Sequence, residues 1–173
     1  GQSGRMRVPP EAEKVKVVFL PPMSGLASDE PRWESGRIHY LLGQGQTAQV
    51  LRNLCLQIYE RSPENWEKLK NIIQQLFGVE IRPPVQTVTG SITMEYVERK
   101  TVLDLTSSGR GLQQVLLLFA YLLANPGTVL MLDEPDAHLE VLRQRQIYNL
   151  MTEVAESSGS QIIAASHSEI VLN

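Results

Sequence analysis

The sequence predicts an α/β fold with parallel core strands, a helical hairpin and a small β-hairpin. Three observations carry that expectation. Thr128 to Leu132 is apolar or β-branched throughout, the pattern of a short strand buried on both faces. Leu112 to Ala124 is apolar nearly all round, which marks a buried helix. Gln161 to Ala165 repeats the buried-strand pattern after a second amphipathic stretch. The last third therefore reads loop–helix–strand–helix–strand, an α/β unit whose strands run parallel.

Taken in order, residues 1–15 are polar and proline-bearing and read as a flexible lead-in, with GQSGR before Met6 an expression remnant. Residues 16–173 read as one domain. Val15, Val17, Val18, Phe19 and Leu20 form a strand that Pro21-Pro22 cuts off. Met23 to Gly36 mixes Pro, Gly, Ser and Asp and reads as an ordered loop. From Thr47 to Arg61 a helix keeps Val50 or Leu51, Leu54, Cys55 and Ile58 on one face. Ser62 suits the cap of the next helix, Pro63 its first position and Gly78 its end. Trp66, Leu69, Ile72, Ile73 and Leu76 hold helical spacing within it, so the pair makes the helical hairpin. Val79 to Ile81 suits a short strand. Ser91 to Val97 alternates and Thr101 to Leu105 makes another strand, so Glu98 to Lys100 turns the β-hairpin. After Thr128–Leu132, Pro135 ends the ladder and a helix begins near His138, running to about Glu156.

Composition narrows the function classes. The formal net charge of −3 carries no global basic field for nucleic acid. The one cysteine, Cys55, excludes an internal disulfide framework, fits a reducing, cytoplasmic setting, and lies in an apolar stripe as a core filler. Val115 to Ala124 is too short an apolar run to cross a bilayer, and no signal peptide is visible.

The candidate chemistry collects at one end of the predicted sheet. Asp133 and Glu134 end one strand, and His167 follows the other. Ligands of open α/β sheets bind at such carboxyl ends. Asp133 suits a Mg²⁺ ligand as a hard oxygen donor. Glu134 suits the orientation and deprotonation of an attacking water. His167 suits a hydrogen bond to a terminal phosphate or to that water. Thr106-Ser107-Ser108-Gly109-Arg110-Gly111 is a small-residue loop opening a helix, where free N–H groups and the positive dipole end favour phosphate. Each feature also has a bland reading: an acidic turn after a strand, ordinary helix capping, a satisfied structural histidine.

In order and spacing these pieces resemble the ATPase heads of the ABC class, and SMC-like and OLD-like (overcoming-lysogenization-defect) ATPases more than transporter cassettes. TSSGR resembles the signature loop, LMLDEP the Walker B strand with its catalytic glutamate, and Ala137-His138-Leu139-Glu140 the D-loop. Ser166-His167 resembles the switch histidine. The resemblance covers about residues 104–169. FLPPMSGL adds a vaguer likeness to the region those ATPases carry before the signature loop. Arg110 departs from the family's Gln or Glu, and Glu140 from the transporter Asp. The resemblance implies a partial P-loop NTPase fold. It implies Glu134 and His167 as catalytic residues, Asp133 as the metal ligand, and Ser107, Ser108, Gly109, Arg110 and His138 as nucleotide contacts, with ATP and Mg²⁺ as cofactors.

A P-loop NTPase also needs GxxxxGK[ST], whose amides and lysine hold the phosphates. No glycine in this sequence is followed by lysine, and Gly43-Gln44-Gly45-Gln46-Thr47 supplies no lysine to the phosphates. The expectation is therefore the C-terminal part of an ATPase head, inactive alone and completed by a Walker A-bearing N-terminal segment or an intact protomer. Homo-oligomers are expected, because the family places the Walker A strand beside Gln161–Ala165, whose edge then needs cover by a second copy or by a rearranged segment. DNA is an allowed partner by resemblance, without a basic groove to show it. The alternative is a non-catalytic interaction or regulatory module that keeps the ATPase dimer surface. A serine hydrolase built on Ser166, His167 and Asp133 is a distant third, since no GxSxG elbow is present.

Overall fold

The computed structural model describes residues 15–136 and 139–167. Its centre is a three-stranded parallel sheet of β1 (Lys16–Leu20), β7 (Thr128–Asp133) and β8 (Gln161–Ala165), with β7 in the middle. Phe19 faces Met131 and Met131 faces Ile163, so the register forms rows straight across the sheet. Between β1 and β7 the chain makes α1 (Ser35–Gly43), α2 (Leu51–Arg61) and α3 (Pro63–Phe77), then the short strands β2 (Glu80–Ile81), β3 (Val85–Gln86), β4 (Ile92–Thr93), β5 (Glu95–Glu98) and β6 (Thr101–Asp104), and α4 (Arg110–Ala124). After β7, α5 (Val141–Ser158) returns the chain to β8. The α/β class, the parallel core, the α2–α3 hairpin and the β5–β6 hairpin all match the expectation.

Local chemistry explains most boundaries. Ser62 accepts from the Asn65 N–H at 3.2 Å and Pro63 opens α3, while Gly78 ends it in the left-handed region at φ 70°. The β5–β6 turn places Arg99 at φ 47° and Lys100 at φ 70°, the geometry of a two-residue hairpin whose twist matches its strands. Four expectations shift. Ser91 to Val97 is broken at Met94, whose side chain is buried: β4 pairs with β3, and β5 with β2 and β6. The helix from Thr47 begins as a 3-10 turn at Thr47–Gln49 before α2. α1 was not foreseen, because Ser35–Gly43 has glycines at both ends and a short apolar stripe of Ile38, Leu41 and Leu42. The last helix starts at Val141 rather than His138, which itself lies outside the described residues.

α4 is the axis of the core. Every residue from Leu112 to Leu123 is buried, and at about 1.5–3 kcal/mol per fully buried large aliphatic this helix contributes more to the apolar driving force than any other single element. Each of its buried glutamines is engaged through one end of its amide, while Gln113 Oε1 and Gln114 Nε2 find no hydrogen-bond partner among the described residues. Gln114 Oε1 accepts from the Met23 N–H at 2.6 Å, and Gln113 Nε2 donates to the Ser108 carbonyl at 3.0 Å. The second contact ties the loop before α4 to the helix itself.

The loop from Met23 to Glu34 is ordered by a buried carboxylate. Glu30 is fully buried and accepts from the Arg52 and Asn53 N–H groups at 3.1 and 2.7 Å, from Asn53 Nδ2 at 2.9 Å and from Arg52 Nη1 at 3.4 Å. The two backbone donors belong to the first turn of α2, whose own cap residue Val50 offers no side-chain acceptor. Glu30 thus caps α2 from a distance. Burial pushes its carboxyl upward, against the pull of the Asn53 and Arg52 hydrogen bonds.

The sheet's two faces differ. Leu20, Leu130 and Leu132 join the core with α4 and α5, whereas Val17, Phe19, Met131 and Ile163 are exposed on the other face. Among the described residues no strand pairs with the outer edge of β8. The expected cover from a rearranged segment is not found there. No helix among those residues is long and apolar enough to cross a membrane.

Candidate functional site at the carboxyl ends of β7 and β8

β7 ends at Asp133, and the next residue, Glu134, sits at φ 43°. A left-handed backbone costs a residue with a Cβ roughly 1–2 kcal/mol. Arg99 and Lys100 accept that cost where a tight hairpin demands it; Glu134 accepts it at a strand end, before a proline. Its N–H still reaches across to the Ala165 carbonyl at 2.8 Å, extending the contact between β7 and β8 by one hydrogen bond. The kink turns the Glu134 side chain toward the end of β8, where Oε1 lies 3.5 Å from His167 Nε2. The two side chains are 49% and 94% exposed. A contact so open to water contributes little to stability, and both groups stay accessible to a ligand.

Two residues further on, Asp136 makes a second bridge. Ser166 Oγ donates to its carboxylate at 2.8 and 3.0 Å, and the Tyr148 hydroxyl of α5 donates to Oδ1 at 3.0 Å. Burial pushes the Tyr148 phenol up to about 12, with a Ser166 hydrogen bond pulling it down and the Asp136 charge adding to the rise. The phenol is therefore a proton donor throughout the neutral range. Sequence reasoning missed this group. Asp136 stood unassigned in the acidic turn, Ser166 was weighed only as a nucleophile, and Tyr148 is one polar residue on an amphipathic helix. The available signal was a third acid two positions past Glu134.

The loop before α4 is built differently. Asp104 accepts from the Thr106 N–H at 2.8 Å and from its hydroxyl at 2.6 Å. Partial burial alone would raise the Asp104 carboxyl, but these two hydrogen bonds outweigh it and hold it below its ordinary value. Ser107 Oγ donates to the Asp104 carbonyl at 2.6 Å and the buried Ser108 Oγ to the Leu105 carbonyl at 2.7 Å. Both hydroxyls are thus turned inward in this structure. Gly109 is the cap position of α4 and accepts no side-chain cap, and Arg110 is the exposed first residue of the helix.

Ser108 and Gly109 line a cavity of about 290 Å³ together with Leu139, Glu140 and Arg143; Arg143 stacks on Phe77 at 5.1 Å and pairs with Glu140 at 3.5 Å. Asp133, Glu134 and His167 do not line it. The structure therefore brings Glu134 and His167 together, with Asp133 at the end of the same strand as Glu134's turn.

Chemically, a pair of adjacent carboxylates with an accessible imidazole can orient water and a divalent cation. Among the described residues no group of three or more His, Cys, Asp or Glu side chains converges on a metal position. Asp133 alone fits the habit of Mg²⁺, which takes one or two carboxylates and fills its shell with water and phosphate oxygens.

Residues 35–173 match the family model described as "AAA domain, putative AbiEii toxin, Type IV TA system". A comparison with curated proteins found no match. Among solved structures the chain is similar to an Smc head domain with a coiled coil and joint from Pyrococcus yayanosii, at TM-score 0.51 and 19% identity, over 61% of this chain and 22% of that one. It is similar to an Smc head bound to the C-terminal winged-helix domain of ScpA, at TM-score 0.53 and 16% identity, over 71% and 42%. A third, an Smc head with an extended coiled coil bound to the C-terminal domain of ScpA from Pyrococcus furiosus, gives TM-score 0.52 and 18% identity over 77% and 34%. The chain spans less than half the length of each of these structures, and at such identities the likeness is one of fold.

Proposed function

The chain belongs to this AAA domain family, and we propose that it forms the C-terminal part of an ATP-hydrolysing head of the ABC class. The observation that carries the reading is the 3.5 Å approach of Glu134 to His167 at the ends of adjacent parallel strands, with Asp133 beside them. In this reading Glu134 takes the proton of the attacking water, His167 hydrogen-bonds that water or the terminal phosphate, and Asp133 holds Mg²⁺. Ser107, Ser108, Gly109 and Arg110 face nucleotide held by another subunit, and the two serine hydroxyls must rotate from their backbone acceptors to donate to it. His138 is assigned to the same nucleotide contact from the motif alone.

The grip on the triphosphate must come from elsewhere, because the sequence has no glycine-lysine pair. The proposed partner is a Walker A-bearing segment, beside the edge of β8 that no described strand pairs and over the exposed row Phe19, Met131 and Ile163. Parallel sheets are normally covered on both faces, which supports a covering lobe here. Two carboxylates alone repel a triphosphate, so residues 1–173 by themselves show no micromolar Mg-ATP binding in calorimetry. With a Walker A-bearing segment joined ahead of residue 15, ATP turnover appears, and Glu134→Gln lowers kcat by roughly 10²–10⁴-fold with nucleotide retained. Binding without turnover in the joined protein favours an interaction module instead, and unchanged turnover in Glu134→Gln removes Glu134 from its role.

A further inference from the structure

We propose that Asp136 is a positioning residue: its carboxylate, clasped by the Ser166 and Tyr148 hydroxyls, holds the turn that carries Glu134 against the strand end that carries His167. The inference rests on the ATPase reading for its purpose but not for its measurement. Glu134 and Asp136 are two positions apart on one turn, and Ser166 and His167 are neighbours on the other strand. The same two segments are thus bridged side by side, by Glu134 to His167 at 3.5 Å and by Ser166 to Asp136 at 2.8 Å. The bridges are unequal. The first is long and solvent-exposed, and geometry of that kind does not hold itself. The second is short, partly buried and charge-assisted, the stronger class of hydrogen bond. Tyr148 adds a third element, since its 3.0 Å bond fastens the carboxylate to α5, a helix of 18 residues whose inner face is core.

The clasp also has a reason to be needed. Glu134 holds a backbone conformation that opposes its own Cβ, and a strained turn persists only where its surroundings fix it. Pro135, buried, and the Glu134 N–H bond to Ala165 fix one side of the turn. The Asp136 clasp fixes the other. Without it the turn relaxes, and Glu134 and His167 keep their identities but lose their separation.

The test is made on the protein without nucleotide, so that failure of ATP binding and failure of this proposal are separate results. Ser166→Ala, Ser166→Thr and Tyr148→Phe are compared with the parent by amide hydrogen exchange at Glu134 and by the ¹⁵N signals of the His167 ring, after thermal melts establish folding. Loss of one charge-assisted hydrogen bond in Ser166→Ala should speed Glu134 exchange about tenfold and move the His167 ring signals toward those of a freely rotating imidazole. Ser166→Thr keeps the hydroxyl and should restore both. Tyr148→Phe should shift both in the same direction by less. A folded Ser166→Ala with parental exchange and ring signals overturns the proposal, as does a Ser166→Thr that behaves like Ser166→Ala. Should Ser166→Ala fail to fold, Tyr148→Phe decides by the same two readouts.

Discussion

The two faces of the parallel sheet share strands, register and residue types, yet one is core and the other is open. On the packed face Leu20, Leu130 and Leu132 meet α4 and α5. On the other face Phe19, Met131 and Ile163 line up in one row and are 49, 40 and 57% exposed. The difference teaches that apolar patterning specifies a surface that wants burial without specifying what buries it. β7 reads as a strand apolar on both faces, and among the described residues only one of those faces is packed into the core. The same asymmetry appears at the rim, where the Asp136 side of the turn is clasped and the Glu134 side faces solvent.

The contrast can be broken most severely on the packed side. Glu30→Ala should cost about 3–5 kcal/mol in chemical denaturation, because it strands the buried Arg52 cation and uncaps α2; a loss within experimental error would show that this corner relaxes freely. Leu130→Ala follows at about 2–5 kcal/mol, the range for a buried aliphatic truncated to a cavity. The matching change on the open face, Phe19→Thr, should alter stability by no more than about 0.5 kcal/mol. It should instead reduce concentration-dependent association seen by sedimentation, and a stability loss comparable to that of Leu130→Ala would show the open face to be packed in solution. The smallest effect is at Asp104, whose folded carboxyl lies below its ordinary value. Its contribution is present above the unfolded value, about 4, and disappears as pH falls through the lower folded value. Asp104→Asn should therefore show a shallower acid-side decline in melting temperature than the parent, its small deficit present at neutral pH and closing as the parent's carboxylate protonates.

Much of this was legible in the chain. Ser62, Pro63 and Gly78 announced both ends of α3 because capping chemistry is local. The acids after Leu132 and the histidine after Ala165 announced the rim because strands place their last side chains at a sheet's end. Met94 was not legible as a break between two small sheets, since alternation looks the same whether or not the partner strand changes.

What the sequence determined by itself is the class of fold, the order of its elements and the residue types delivered to the carboxyl ends of β7 and β8, all of which follow from period, turn residues and caps within a few positions of one another. The tertiary structure alone decided that Glu30 caps α2, that Asp136 is gripped by Ser166 and Tyr148, and that Phe19, Met131 and Ile163 are left exposed on one face of the sheet. Those contacts join residues as far apart as Asp136 and Ser166. Partners at such separations are chosen by how the layers pack, and packing leaves no local signature in the chain.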